Sequence, residues 1–150
     1  MTDKVLLLVE DNPDDEALTL RALEPGDCIS KIIVAHDGVE ALDYLFGTGA
    51  FEGLDTRAMP QVILLDLKLP KINGLEVLAR IRADPRTRLL PVVILTSSME
   101  AQDLIQAYSL GANSYIRKPV DFTQFKKAVQ QLKLYWLALN EQPPVNGGFK

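Results

Sequence analysis

Short apolar runs separated by amphipathic stretches recur along the whole chain. Most of these runs are rich in β-branched residues and carry no polar face. The five runs are Lys4–Val9, Ile29–Ala35, Val62–Leu65, Val92–Leu95 and Asn113–Ile116. Runs that are apolar on both sides predict strands whose two faces are both covered, as in a parallel sheet.

Stretches with the apolar spacing of helices lie between or after these runs. The predicted helices are Asp14–Leu23, Gly38–Phe46, Leu75–Ile81, Ala101–Leu110 and Asp121–Leu139. Pro13 suits a first helical turn, Gly111 a helix end and Asp121 an N-cap. Five strands alternating with five helices predict an α/β fold. We expect a doubly wound, flavodoxin-like parallel sheet with strand order 2-1-3-4-5.

Length and composition place all of these elements in one domain. The chain has 150 residues, of which 47% are hydrophobic and 24% are charged. A chain of this length buries roughly 70% of its unfolded surface. We predict one domain over residues 1–140 and a flexible tail over residues 141–150, which contains two prolines and two glycines in pairs.

Charge, cysteine content and the N-terminus exclude several kinds of partner and site. The net charge of −4 gives no reason to expect nucleic acid or a membrane as partner. A single cysteine, Cys28, excludes an internal disulfide and a cysteine-rich zinc site. The first apolar run is too short for a signal peptide, so the sequence predicts a cytoplasmic protein.

Polar residues follow four of the predicted strands at the point where each strand ends. Glu10 and Asp11 follow the first strand, Asp66 the third, Thr96 the fourth and Lys118 the fifth. Ligands of open α/β sheets bind outside the carboxyl ends of the strands, where the strand order reverses. We therefore expect these side chains to converge on one pocket.

The charges of this pocket indicate what it binds. Glu10, Asp11 and Asp66 are negative and Lys118 is positive, which leaves an excess of two negative charges. Carboxylates packed together repel one another unless a cation lies between them. Oxygen ligands with room for water and phosphate favour Mg²⁺. Mg²⁺ beside a carboxylate, with a lysine and a hydroxyl opposite, suits phosphoryl transfer to Asp66.

The motifs around these residues resemble the receiver domain of response regulators. They are Val9–Pro13, Leu65–Pro70, Asn73-Gly74, Leu95–Ser97 and Tyr115–Pro119, and the resemblance covers about residues 4–140. It implies that Asp66 is the phosphoacceptor of a two-component system and that phosphate comes from a sensor histidine kinase. It also implies a signalling protein that promotes only its own phosphorylation and dephosphorylation.

The resemblance also implies roles for the neighbouring residues. Asp11, Asp66 and the main-chain carbonyl of Lys68 would bind Mg²⁺, and Glu10 would help through water. The Thr96 hydroxyl would bond the phosphoryl group, and the Tyr115 ring would swing inward with it. A cis bond before Pro119 would aim Lys118 at the phosphate. Phosphorylation would alter the face formed by the fourth helix, fifth strand and fifth helix, which a downstream protein reads.

A narrower set of features is similar to stand-alone receivers that serve bacterial phytochromes, which makes a bacteriophytochrome kinase the expected partner. These features are the long connection Gly47–Pro60, Asp84-Pro85, Leu90–Val93, Tyr108 with Gly111–Asn113, and Tyr135–Leu137. The arginines at 80, 82, 86 and 88 carry no interleaved aromatic residues, so we interpret them as a solvated helix end.

Other functions are compatible with parts of the pattern. Each acidic residue alone could end a strand or cap a helix. The chain could be a protein-binding module that is never phosphorylated, or an intermediate in a phosphorelay. A magnesium phosphatase would need a second acid at the position of Lys68. A flavin protein would need a phosphate loop after the first strand.

The end of the last helix predicts an interface. Phe122, Phe125, Val129, Leu132 and Trp136 form one core-facing stripe. Further apolar residues lie outside it, so the helix end is apolar nearly all round. Exposed patches of this kind commonly mark interfaces, and two-fold dimers are the commonest oligomers. We predict a homodimer through Leu134, Tyr135, Trp136 and Leu137, with a tail folded back over the helix as the alternative.

Overall fold

The computed structural model describes residues 4–23, 31–53 and 59–143. The strands are β1 (Val5–Val9), β2 (Lys31–Ala35), β3 (Val62–Leu65), β4 (Val92–Thr96) and β5 (Ser114–Arg117). The helices are α1 (Pro13–Leu23), α2 (Gly38–Phe46), α3 (Gly74–Ala83), α4 (Ala101–Ser109) and α5 (Phe122–Lys133), with a short 3₁₀ turn at Gly49–Phe51. Each predicted element is present. Cys28 and the predicted start of the second strand at Ile29 lie outside the described residues.

The sheet has the predicted topology. All four strand pairs are parallel, and the strand order is β2-β1-β3-β4-β5. Val9 lies beside Leu65, so the residues that follow β1 and β3 emerge next to each other. Thr96 lies beside Arg117, so Lys118 emerges next to the end of β4. This register brings the four predicted strand ends to one edge of the sheet.

The core consists of two apolar layers, one on each face of the sheet. Alternate residues of the central strands point to opposite faces, as Leu7 and Leu8 of β1 do. Helices α2, α3 and α4 cover the first face, and α1 and α5 cover the second. Because both faces are covered, β1, β3 and β4 are buried along their whole length.

Arg82 departs from the prediction of a solvated basic helix end, whereas Arg80, Arg86 and Arg88 are exposed as predicted. Its guanidinium donates hydrogen bonds to the carbonyl oxygens of Gly111, Arg88 and Leu90 and to the side-chain oxygen of Asn113, at 2.7–2.9 Å. These bonds join the end of α3 to the segments before β4 and β5. Burial lowers the pKa of this guanidinium. A planar guanidinium has five donors, so one side chain can satisfy several carbonyls that have no helix or sheet partner.

The last helix changes its winding at its end, which corrects part of the interface prediction. Residues Leu134–Leu139 form a π-helix, in which the Asn140 N–H donates to the Tyr135 carbonyl at 2.7 Å. The wider turn places Leu137, five residues after Leu132, in the core with 3% of its surface exposed. Leu137 is therefore not an interface residue, and Trp136 is partly buried against the same core layer. At this end of the helix, the exposed apolar residues are Leu134, Tyr135 and Leu139.

The segment after this helix lies along the edge of the domain where the strands begin. The Lys4 ammonium donates to the Leu137 carbonyl at 2.8 Å, and the Gln142 amide donates to the Gln61 carbonyl at 3.1 Å. Of the predicted tail, only residues 141–143 are described. Among the described residues, no helix is long and apolar enough to cross a membrane.

Candidate functional site

Three carboxylates meet at the carboxyl ends of β1 and β3. One oxygen each from Glu10, Asp11 and Asp66 lies within 4.8 Å of the other two. Glu10 and Asp66 are buried, with 2% and 7% of their surfaces exposed, whereas Asp11 faces solvent. The last bonds of the sheet position them, because the Glu10 N–H donates to the Ala35 carbonyl and the Asp66 N–H to that of Val9.

Lys118 closes the other side of this cluster. Its ammonium lies 2.6 Å from Glu10 Oε1, 3.0 Å from Asp15 Oδ2 and 3.1 Å from Asp66 Oδ2. The backbone N–H of Lys118 donates to the Thr96 carbonyl at 2.8 Å, and this bond fixes the backbone from which the Lys118 side chain extends. Asp15 was not predicted as a site residue. The signal that could have identified it is its place in the first turn of α1, which begins at Pro13, two residues after Asp11.

The Asp66 carboxylate is held by donors on both of its oxygens. Oδ1 accepts hydrogen bonds from the Thr96 hydroxyl at 2.9 Å and from the Lys68 N–H at 3.2 Å. Oδ2 accepts the bond from Lys118. The Thr96 hydroxyl in turn accepts a bond from the Ser98 N–H at 3.3 Å. The predicted contacts among Asp66, Thr96 and Lys118 are thus present in the structure.

The pKa values in this cluster follow from burial and charge. Burial raises the pKa of Glu10 to about 7, and the nearby Asp66 charge adds to the rise. Hydrogen bonds from Lys118 and from the Asn12 N–H oppose that rise. For Lys118, burial alone would lower the pKa, but the bond to Glu10 and the Asp66 and Glu10 charges raise it. Lys118 therefore stays an ammonium ion at neutral pH.

The residues present fit a small divalent ion. The pocket offers three carboxylate oxygens close enough to share one ion. Hard oxygen ligands of this kind suit Mg²⁺ or Mn²⁺. Such an ion would neutralise charge on Glu10, Asp11 and Asp66. Two roles stay predictions: the Lys68 carbonyl as a metal ligand, and contact between Glu10 and the ion through water.

Metal binding should weaken as pH falls through 7. A proton on Glu10 competes with the ion, so we expect the Mg²⁺ affinity to fall by about tenfold per pH unit below 7. Calorimetric titrations at about pH 6 and about pH 8 measure this difference, and Glu10→Gln should flatten it. The folding stability of the metal-free protein should depend on pH in the opposite direction. The folded state binds the extra proton on Glu10 between the ordinary pKa of 4.5 and about 7, so the free energy of unfolding falls as pH rises through that window.

Tyr115 faces inward in this structure. Its ring packs partly buried against the core layer under α2, α3 and α4. Its hydroxyl is buried and has no hydrogen-bond partner among the described residues. Burial raises the pKa of this hydroxyl; Ser98 lies close enough to oppose the rise but makes no hydrogen bond with it. The resemblance associates the inward position with Thr96 bonded to a phosphoryl group, whereas here the Thr96 hydroxyl bonds the Asp66 carboxylate.

Tyr115→Phe is expected to leave the fold intact and to raise the free energy of unfolding by up to about 1 kcal/mol. The reason is that a buried hydroxyl without a partner costs free energy that phenylalanine avoids. Denaturant unfolding measures the effect. Thr96→Val is the matched comparison, because it removes a hydroxyl that does have a partner, and we expect it to lower stability by about 1 kcal/mol. Equal losses in both variants would contradict this interpretation.

The expected cis bond before Pro119 is absent. The described residues contain no cis peptide bond, so Lys118 and Pro119 are joined in the trans form. The trans form is the one that X–Pro bonds favour by about 0.5–1 kcal/mol. Lys118 reaches the carboxylates from this backbone because its own N–H continues the ladder at Thr96.

Two residues that the sequence did not single out support the segment after β4. The Ser98 hydroxyl donates to Asp103 Oδ2 at 2.6 Å and accepts from the Glu100 N–H at 3.3 Å. Ser98 is buried, and Asp103 lies in the first turn of α4. This pair connects the loop that carries the Thr96 contact to the fourth helix. Its only sequence signal is a serine two residues after Thr96 and an acid five residues further on.

Gly74 sets how closely α3 approaches the acceptor. It is the first residue of α3, and its N–H donates to the Leu67 carbonyl at 2.9 Å. A Cβ atom there would lie 2.2 Å from the Asp66 carbonyl oxygen and 2.6 Å from the Leu67 Cα. Asn73 caps the helix by accepting a bond from the Glu76 N–H at 3.0 Å. The Asn73-Gly74 motif therefore has a direct structural role next to Asp66.

Comparison with known proteins defines the class to which this fold and site belong. Residues 6–130 match the response regulator receiver domain model. The chain therefore belongs to the response regulator receiver family, whose members are signalling proteins. Among curated relatives, it is 44% identical over 139 residues to the probable methanogenesis regulatory protein FilR2 of Methanothrix harundinacea. That match covers 93% of this chain and 87% of FilR2.

Solved structures of response regulators, two of them phytochrome response regulators, share the fold over almost the entire chain. The bacteriophytochrome response regulator RtBRR is 50% identical, with a TM-score of 0.75, and the match covers 95% of this chain and 86% of RtBRR. The phosphorylated cyanobacterial phytochrome response regulator RcpA is 36% identical, with a TM-score of 0.88 and coverage of 95% and 100%. The Mn²⁺-bound response regulator Rcp1 is 37% identical, with a TM-score of 0.86 and coverage of 94% and 99%.

Proposed function

We propose that Asp66 accepts a phosphoryl group from the phosphohistidine of a sensor histidine kinase, with Mg²⁺ as the cofactor. The observation that carries this proposal is the environment of the Asp66 carboxylate, which has Thr96 and Lys118 as donors and two further carboxylates beside it. A carboxylate oxygen attacks phosphorus, the new O–P bond forms, and the P–N bond to the imidazole breaks. The imidazole nitrogen keeps the electron pair of the broken bond.

The residues around Asp66 act on the charge of the transferred group. Lys118 places its ammonium near the acceptor oxygen, where it would neutralise charge on the phosphoryl oxygens. The Thr96 hydroxyl, now donating to Asp66 Oδ1, can turn its bond to a phosphoryl oxygen. A bound Mg²⁺ would supply the remaining neutralisation of negative charge. The same groups would promote hydrolysis of the acyl phosphate, so the chain would promote its own dephosphorylation.

We propose a bacteriophytochrome kinase as the phosphate donor. The support is the similarity to RtBRR and RcpA, which are response regulators of phytochromes. The chain is also similar to FilR2, which is named as a probable methanogenesis regulatory protein. A histidine kinase that is not a phytochrome is therefore the comparison donor. The test is the initial rate of phosphotransfer from a bacteriophytochrome kinase and from a kinase of another class, each labelled in advance. We expect faster transfer from the first, and equal rates would contradict this choice of partner.

Phosphorylation would be read on the face formed by α4, β5 and α5. In support, the Ser98–Asp103 pair links the acceptor loop to α4. Ile105 and Tyr108 of α4 expose apolar surface that a downstream protein could contact. We propose that phosphorylation and its recognition by the downstream protein take place in the cytoplasm.

Two alternative functions would give different results. A protein-binding module that is never phosphorylated would show no uptake from any kinase, and a phosphorelay intermediate would pass label onward to a second histidine.

We propose that the chain forms a homodimer through the end of its last helix. Leu134, Tyr135 and Leu139 expose 51%, 50% and 63% of their surfaces, and partly buried Trp136 contacts Tyr135 edge to face. A single domain therefore leaves much of the apolar surface of these three residues uncovered. Residues 1–140 would thus form a receiver domain that carries its own dimerisation surface.

Leu134→Glu with Tyr135→Glu is expected to convert the dimer to a monomer while the melting temperature of the isolated domain stays similar. Charged groups at an apolar two-fold contact would face their own copies and repel. Light scattering with size-exclusion chromatography measures the mass. Ile105→Glu, on the exposed face of α4, is the matched control and should remain dimeric. A dimer that survives the double substitution would place the interface elsewhere.

A further inference from the structure

The ammonium of Lys118 has a third carboxylate partner besides Glu10 and Asp66. An ammonium group has three N–H bonds and can donate to three acceptors. In the structure, one carboxylate oxygen each of Glu10, Asp15 and Asp66 lies 2.6–3.1 Å from the Lys118 nitrogen. Glu10 and Asp66 also belong to the three-carboxylate group that can hold an ion. Asp15 does not belong to it, so it is the one partner of Lys118 with no part in the metal cluster.

The backbone around Asp15 is firmly held. Its N–H donates to Asn12 Oδ1 at 3.0 Å, and its carbonyl accepts a bond of 2.7 Å from the Thr19 hydroxyl. Thr19 is itself a residue of α1 and is fully buried. The Asp15 side chain is about one-third exposed, whereas the Lys118 side chain is almost entirely buried. Asp15 is thus an acceptor on a well-held backbone at the solvent side of Lys118.

A metal ion and Lys118 compete for the same two carboxylates. When an ion draws on the oxygens of Glu10 and Asp66, the bonds of those oxygens to the ammonium weaken. A buried ammonium that loses its partners is unfavourable, so it would resist this exchange. Asp15 can still accept a hydrogen bond from the ammonium when the ion is bound, because its oxygen lies beside the ammonium and outside the metal cluster.

We propose that Asp15 is a positioning residue that holds the Lys118 ammonium beside Asp66 while a divalent ion occupies the carboxylates. This inference rests on the proposed metal-dependent function and adds a fourth carboxylate to it. Without Asp15, Lys118 depends on Glu10 and Asp66 alone and competes with the ion more strongly. The ion then binds more weakly, and the ammonium is less well held for phosphoryl transfer.

Mn²⁺ binding to the whole protein tests this inference, with free Mn²⁺ counted by its electron paramagnetic resonance signal. Asp15→Asn keeps the shape and removes the charge, and we expect it to weaken Mn²⁺ binding by about five- to tenfold. Asp14→Asn removes the same charge from the neighbouring residue, which has no contact with Lys118, and should weaken binding less than about twofold. Asp15→Glu keeps the charge and should retain most of the affinity.

Repeating both substitutions in a Lys118→Met background separates positioning from the general field of the charge. If Asp15 acts through Lys118, its substitution should have no larger effect there than Asp14→Asn has. An equal loss in both backgrounds would overturn the positioning role. So would an Asp15→Asn protein with the affinity of Asp14→Asn. Failure of the unsubstituted protein to bind Mn²⁺ more tightly than Asp11→Asn would instead refute the proposed metal site itself.

Discussion

Asp66→Asn should lower phosphoryl uptake from a labelled kinase at least about hundredfold, because an amide is no nucleophile toward phosphorus. Asparagine fills nearly the same volume, and its oxygen can still accept the bonds from Thr96 and the Lys68 N–H. The free energy of unfolding should therefore change by no more than about 1 kcal/mol. Phosphotransfer and denaturant unfolding are measured on the same preparation.

Asp103→Asn is the control for this substitution. Asp103 is also a carboxylate that accepts a short bond from a hydroxyl, that of Ser98, but it lies outside the metal cluster. This variant should keep uptake within about threefold of the unsubstituted protein. Undiminished labelling of Asp66→Asn would show that the acceptor is another residue.

Gly74→Ala should lower the melting temperature by about 6–12 °C and should also slow phosphoryl uptake. A Cβ at this position would stand 2.2 Å from the Asp66 carbonyl oxygen, a distance at which backbone atoms must move apart. The cost falls on rigid groups, since both the start of α3 and the end of β3 are held by the sheet and by the Leu67 bond. Moving the Asp66 backbone also shifts its carboxylate relative to Lys118 and Thr96. Thermal unfolding and uptake kinetics test both effects.

Glu76→Ala serves as the comparison in the same helix. Glu76 is exposed, and its ion pair with Arg80 at 3.1 Å lies in solvent. Its replacement should change the free energy of unfolding by less than about 1 kcal/mol. A Gly74→Ala protein that is as stable and as active as Glu76→Ala would contradict the close approach of α3 to Asp66.

The strands and the central site could be predicted because they depend on signals within short segments. An apolar run that ends in an acid defines both a buried strand and the first residue beyond it, as at Val9 and Glu10. Parallel pairing then brings such ends together without further information. This is why Asp66, Thr96 and Lys118 were expected to meet, and they do.

What escaped prediction depends on side chains that are distant in sequence or on local winding. Arg82 was expected in solvent, because nothing in its neighbourhood shows that it would reach Gly111, 29 residues away. Leu137 was expected at an interface, because a regular helix would place Trp136 rather than Leu137 on the core side. Asp15 lies in the first turn of α1, but Asp14 and Glu16 share that position, so the signal did not single out Asp15.

The proposed signalling depends on one acyl phosphate at Asp66, so locating that bond is the most direct test. The protein is incubated with acetyl phosphate and Mg²⁺, reduced with borohydride, digested and analysed by mass spectrometry. Reduction converts an aspartyl phosphate to homoserine, so we expect homoserine at residue 66 and only when Mg²⁺ is present. Homoserine at another position, or a phosphoryl group that borohydride leaves in place, would contradict the assignment of Asp66 as acceptor.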